Sequence, residues 1–167
     1  WEAGPDRLAY AAMIGVGKTS EEGKRRADQI SDYVRTSPVV YEPFTNPPGY
    51  NTVPANVAGL KSAGKRAFVL DRHGNPVNHA TASIEDFMAS DTAFAGTPGE
   101  VFEQIKDFHQ RCGGFGNLLF FGQGGHLNHE DTCENIRLFA KEVFPRLQEL
   151  NAGYPASTAP PLQVAAE

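Results

Sequence analysis

Residues Ala93 to Leu150 constrain the fold more tightly than any other stretch of this chain. They read as a short apolar strand, a capped helix, a second apolar strand ending in glycines, and a long amphipathic helix. A strand, a helix and a strand in that order make parallel strands joined by a crossover. Chemistry in such folds gathers at the carboxyl ends of the strands. The two ends here are Gly96–Thr97 and Gly122–His126.

The local signals agree. Thr97-Pro98-Gly99-Glu100 is a capping box with proline at the first helical position. The helix it opens buries Val101, Phe102, Ile105 and Phe108 at helical spacing, and Gly113 and Gly114 end it. Leu118, Leu119, Phe120 and Phe121 form an unbroken apolar run, as expected of a strand covered on both faces. Asn128, followed by Glu130 and Asp131, caps the last helix. Ile136, Phe139, Ala140, Val143, Phe144 and Leu147 mark its expected buried stripe, and Pro145 should kink it or begin its end.

Upstream, Arg7–Val16 reads as a buried strand, and Thr19–Glu22 as a second capping box opening a helix to about Val34. Ala27, Ile30 and Val34 face inward on that reading, while Glu21, Glu22, Lys24, Arg25, Arg26 and Asp28 are solvated. The turn between strand and helix, IGVGKTS, is like the end of a phosphate-binding P-loop. That motif needs a glycine where Ala12 stands, so a P-loop-like nucleotide binder is an alternative and not the main reading. A non-catalytic α/β interaction module is a second alternative.

Ser37–Asp91 differs in character. It carries Pro38, Pro43, Pro47, Pro48, Pro54 and Pro76, with turn signals at Asn46–Gly49 and Asp71–Asn75. A stretch this long between strand–helix units is functional or disordered. Within it, Phe68–Leu70 and the turn after it suggest a short hairpin, and Ile84–Met88 a helical turn. Beyond Leu150, residues 151–167 are rich in Ala, Pro, Ser and Thr and read as a disordered tail. A net charge of −5 offers no basic patch for nucleic acid, and no apolar stretch approaches the ~20 residues that span a bilayer. Cys112 and Cys133 are too few for a disulfide framework, so free thiols in a reducing cytoplasm are expected.

The segments AGTPGEVFEQI, GFGNLLFFGQGG and ENIRLFAKEVFPRL together resemble the C-terminal end of the bacterial luciferase-like flavin-dependent monooxygenases. The resemblance is strong over Ala93–Leu150 and moderate over Arg7–Val34. It implies a partial (β/α)8 barrel, about strands six to eight with their helices, over residues 1–150, with 37–91 as a lid-like insertion. A complete barrel takes about 250 residues, against 167 here, and the chain opens on Trp1, so the expectation is a C-terminal portion of a longer enzyme, inactive alone. The implied activity is insertion of one oxygen atom into a small organic substrate. Reduced FMN and oxygen, or in some branches a deazaflavin, are the implied reactants, with a flavin reductase as supplier and a homo-oligomer as the implied assembly. A lid would exclude water from the flavin, with Lys61, Lys65 and Arg66 as candidates to close over an anionic group or as plain surface charges.

The glycine-rich turn is the best pocket candidate on this reading. Gly122, Gln123, Gly124 and His126 are expected as pocket wall near the flavin ring or substrate, or alternatively as a plain turn. The phosphate is implied to sit on earlier strands, and no catalytic residue is assigned. His126, His129 and Cys133 are spaced by three and four, which on one continuous helix would set them on one face for a metal. Asn128 as a cap breaks such a helix between the first two, and no fourth ligand is evident, so no metal site is assigned.

Overall fold

A computed structural model describes residues 8–36, 69–71 and 73–150. The elements are β1 (Ala9–Val16), α1 (Ser20–Arg35), β2 (Val69–Leu70), β3 (Pro76–Val77), α2 (Ile84–Ala89), β4 (Ala93–Gly96), α3 (Pro98–Arg111), β5 (Asn117–Phe121), α4 (His129–Leu138) and, after a π-helical turn (Phe139–Val143), α5 (Phe144–Leu150). β2 and β3 form the short antiparallel hairpin expected within the proline-rich stretch. Residues 37–68 of the expected insertion and the tail 151–167 lie outside the described residues.

β1, β4 and β5 make one parallel sheet in the order β4-β1-β5. Side chains alternate across a strand, so Ala12, Ile14 and Val16 go to one face with Phe94, and Met13 to the other with Ala93 and Ala95. Val101, Phe102 and Ile105 of α3, with Phe139 and Val143, cover the first face. Ala27 and Ile30 of α1, with Ile84 and Phe87 of α2, cover the second. Each large apolar side chain buried in these two cores contributes on the order of 1.5–3 kcal/mol. The result is a three-layer α/β/α arrangement.

Two sequence expectations are corrected here. Consecutive staves of a barrel would set β4 between β1 and β5, with helices on one side only. Instead β1 is central and helices lie on both faces, so no barrel is seen among the described residues. The second concerns β5, which was expected to be covered on both faces. Among the described residues it pairs with β1 alone, and Leu119 is 57% exposed. An apolar run reports that a strand can be buried, not how many layers reach it.

The helix starts follow the sequence closely. Thr97 Oγ1 accepts the Glu100 N–H at 3.4 Å and Glu100 Oε2 accepts the Thr97 N–H at 2.7 Å, closing the capping box. At α1 the box is displaced by one residue: Thr19 Oγ1 accepts from Glu22 N at 3.2 Å, but the Glu22 carboxylate accepts from Lys18 N at 2.7 Å. α1 also lies close against the sheet. A Cβ on Gly23 would stand 2.2 Å from the Gly96 carbonyl oxygen, so only glycine admits this approach.

The last helix departs from its expected stripe. Ile136 and Phe144 are exposed, and the buried positions are Thr132, Asn135, Phe139 and Val143. Pro145 does not stop the helix. The π turn precedes it, with Phe144 N donating to Phe139 O, and the helix runs on to Leu150. A proline collides with the carbonyl four residues back, here Lys141 inside the widened turn, which gives that carbonyl room. No helix among the described residues is long and apolar enough to cross a membrane.

Candidate functional site

With β1 central, the crevice where chains wind in opposite directions lies between the carboxyl ends of β1 and β5, the position at which open α/β sheets place their ligands. β1 outruns β5: Met13 stands opposite Phe121, and the three residues beyond it have no β5 partner. Asn135 of α4 occupies that gap. Its Oδ1 accepts the Val16 N–H at 2.6 Å, and its Nδ2 donates to the Ile14 and Gly122 carbonyls, both at 2.9 Å. The side chain is fully buried and does for the strand what further β5 backbone would do.

Arg26 holds the other side of the same residue. It is 3% exposed, against the expectation that it is solvated. Its Nη1 donates to Val16 O at 2.7 Å, its Nη2 to Glu22 Oε1 at 2.7 Å, and its Nε to Asp131 Oδ1 at 3.0 Å. A buried guanidinium is tolerated only when paired and hydrogen-bonded, and here two carboxylates and a carbonyl satisfy it. Asp131 also takes both terminal nitrogens of Arg25, at 2.9 and 3.1 Å. The Arg25 hydrogen bonds lead those from Arg26 and Asn128 in outweighing burial, and the Asp131 carboxyl is pulled down to about 2. These groups clasp β1, α1 and α4 together; each is spoken for by a protein partner.

A cavity of about 500 Å³ opens beside this clasp, lined by Arg26, Asp131 and the outer face of α4, including Asn128, His129, Cys133 and Glu134. Lys18, the residue a P-loop would aim at phosphate, ion-pairs with Glu134 at 3.4 Å. The Glu22 carboxylate, hydrogen-bonded to Lys18 N, stands at the helix N-terminus where a phosphate would sit.

The four residues expected to wall a pocket follow one another in a turn but face different neighbours, and His126 is the one hydrogen-bonded to α1. Gly122 gives its carbonyl to Asn135, and a Cβ on it would meet the Phe120 ring at 2.2 Å. Gln123 is exposed. Gly124 and its neighbour carry the turn over the last turns of α1, where a Cβ on Gly125 would lie 1.9 Å from Gln29 O. His126 N donates to Gln29 O at 3.2 Å, and His126 Nδ1 lies 2.9 Å from Asp32 Oδ2. Burial raises the Asp32 carboxyl, but hydrogen bonds from His126 and Arg35 hold it below the usual range. At Gly125 the close approach that glycine permits is taken by the α1 backbone.

Arg26, Asn135 and Asp131 were not singled out from sequence. Of the three, Asn135 has a sequence signal: Thr132, Asn135, Phe139 and Val143 recur at helical spacing, and a polar residue on that row points to a buried amide rather than a solvated one.

No family model matches the chain, and no curated protein matches it. Among solved structures it is similar to the monooxygenase RslO1 from Streptomyces bottropensis, with 16% identity and a TM-score of 0.52, over 88% of this chain and 33% of that one. The chain thus spans about a third of the length of the solved structure it matches, and at this identity the likeness is one of α/β fold.

Proposed function

We propose that this chain is the C-terminal portion of a flavin-dependent monooxygenase of the luciferase-like type, acting on a small organic substrate. The observation that carries the reading is the fold likeness to a monooxygenase over 88% of the chain. The AGTPGEVFEQI and ENIRLFAKEVFPRL segments lend it support by resemblance. In the parent enzyme, reduced FMN would supply the electrons for oxygen activation, and a deazaflavin, the alternative cofactor, would instead supply a hydride. A reductase provides the reduced flavin, and the proposed setting is a cytoplasmic homo-oligomer.

The part played by these residues is architectural. The turn at Gly122–His126 meets α1 through Gly125 and His126, and most of the flavin contacts are proposed to come from the rest of the parent enzyme. Arg26, Asp131 and Asn135 fix the strand ends from which any loop toward such a site would start. The closed barrel that the resemblance implies requires β4 between β1 and β5, and the proposal concerns activity without it.

Flavin titration tests this. The 167 residues alone should leave FMN fluorescence unchanged, whereas the full-length protein should bind FMN and consume oxygen when supplied with reduced flavin. Stoichiometric FMN binding by the 167 residues, or none by the full-length protein, overturns the proposal. A second reading, a non-catalytic interaction module, is favoured by the exposed apolar groups Tyr33, Leu119 and Phe121 on one face. Full-length protein that self-associates through this face and shows no oxygen consumption would favour it.

A further inference from the structure

α4 begins at His129, so the cap at Asn128 that separates His126 from the helix leaves His129 and Cys133 together on it, four residues apart and on one face. Their donor atoms meet: Cys133 Sγ and His129 Nε2 are 3.6 Å apart, and both residues line the cavity of about 500 Å³. His126 takes no part, because its ring is turned to Asp32 on α1.

We propose that Cys133 and His129 form a two-residue clamp for a soft divalent cation of the zinc, cadmium or cobalt type. Zinc takes a thiolate sulfur at about 2.3 Å and an imidazole nitrogen at about 2.0–2.1 Å, and a tetrahedral angle between such bonds separates sulfur from nitrogen by about 3.5–3.6 Å. The pair already stands at that bite, with helical backbone holding it. Binding replaces the thiol proton by the metal, Cys–SH and M²⁺ giving Cys–S–M⁺ and a released proton, while the neutral imidazole donates its lone pair. Water from the open cavity completes the coordination.

Electrostatics pull in two directions here. A cation at the start of a helix opposes the helix dipole, and Arg137 lies one turn further along the cavity. Against this, Glu130, Asp131 and Glu134 line the same cavity. Asp131 and Glu134 are engaged with arginines, so their charge offsets the dipole without supplying ligands. That makes the clamp bidentate and exchangeable, unlike a closed structural site with four protein ligands.

Cobalt(II) titration of the reduced 167-residue chain is the test, read by the thiolate-to-cobalt charge-transfer band in the near ultraviolet. A band saturating at one cobalt per chain is expected. It should be lost in Cys133→Ser, retained in Cys112→Ser, and shifted to higher cobalt in His129→Ala. All three substitutions fall at exposed or half-buried positions, and circular dichroism of each variant confirms its fold. No band in the parent chain, a band that follows Cys112, saturation at one cobalt per two chains, or an unshifted His129→Ala titration overturns the proposal. The outcome is independent of flavin binding, so it stands or falls apart from the monooxygenase reading.

Discussion

Asn135 stands beside Val16 in the place where the next residues of β5 would lie. The contact spans most of the described chain in sequence and is made by one amide, which accepts from Val16 N and donates to Ile14 O and Gly122 O. Strand ends in a parallel sheet normally close with backbone or water. Here a side chain closes them, and a helix is tied to the sheet as a result.

Asn135→Leu tests how much that closure contributes. It leaves the Val16 N–H and two carbonyls buried without partners, and each such loss costs about 1–3 kcal/mol. A loss of roughly 3 kcal/mol or more in urea unfolding is expected. Asn135→Asp, which keeps only the acceptor, should also be destabilising. A change under about 0.5 kcal/mol for Asn135→Leu would show that the amide is dispensable.

Asp131 contributes to the acid limb of stability, beside other depressed carboxyls such as Asp32. Its carboxyl is depressed to about 2 in the folded chain, below the unfolded value of about 3.9. A depressed carboxyl stabilises the fold above the unfolded value and loses that contribution as pH falls through the folded one. Thermal melts should therefore drop between about pH 4 and pH 2 more steeply in the parent chain than in Asp131→Asn. Parallel acid limbs for the two proteins would mean that the Arg25 and Arg26 contacts do not persist in solution.

Two glycines in or near helix starts should respond in opposite ways. Gly23→Ala places a methyl 2.2 Å from the Gly96 carbonyl oxygen, forcing α1 off the sheet, at a cost of about 1–3 kcal/mol. Gly99→Ala in the first turn of α3 meets nothing within 4 Å and should stabilise by about 0.4–1 kcal/mol. Chemical denaturation of both variants settles the contrast. Equal effects would place α1 farther from β4 than described.

Strand order has its own check. Ala11 and Leu119 are registered partners, as are Met13 and Ala93, so both pairs should give backbone nuclear Overhauser contacts. Leu119→Lys should change stability by no more than about 0.5 kcal/mol, since the position is on the surface. A cost of several kcal/mol, or contacts between β4 and β5 in place of those to β1, would restore the barrel order.

What was legible in the sequence was local. Thr97-Pro98-Gly99-Glu100 announces its helix because every atom of a capping box lies within four residues. The β2–β3 hairpin and the α2 turn were readable for the same reason. Neighbour relations were not. Nothing in the run Leu118–Phe121 states which strand it will pair with, and nothing in Arg26, set in a charge-rich stretch, announces a partner 105 positions away. The Gly122–His126 turn is legible from its glycines, but the sequence does not say that Gly125 meets the Gln29 carbonyl of α1, a contact set by tertiary packing.

The widened turn at Phe139–Val143 sets the phase of everything after it. Each helical residue advances the direction of its side chain by about 100°, so excising one residue from that turn would swing Leu147 and Leu150 away from Ile105 and Phe115, which they now approach. Asn135, lying before the turn, would keep its partners. The extra residue thus works as an angular spacer, letting one helix lock the sheet's end with its first half and seal α3 with its second.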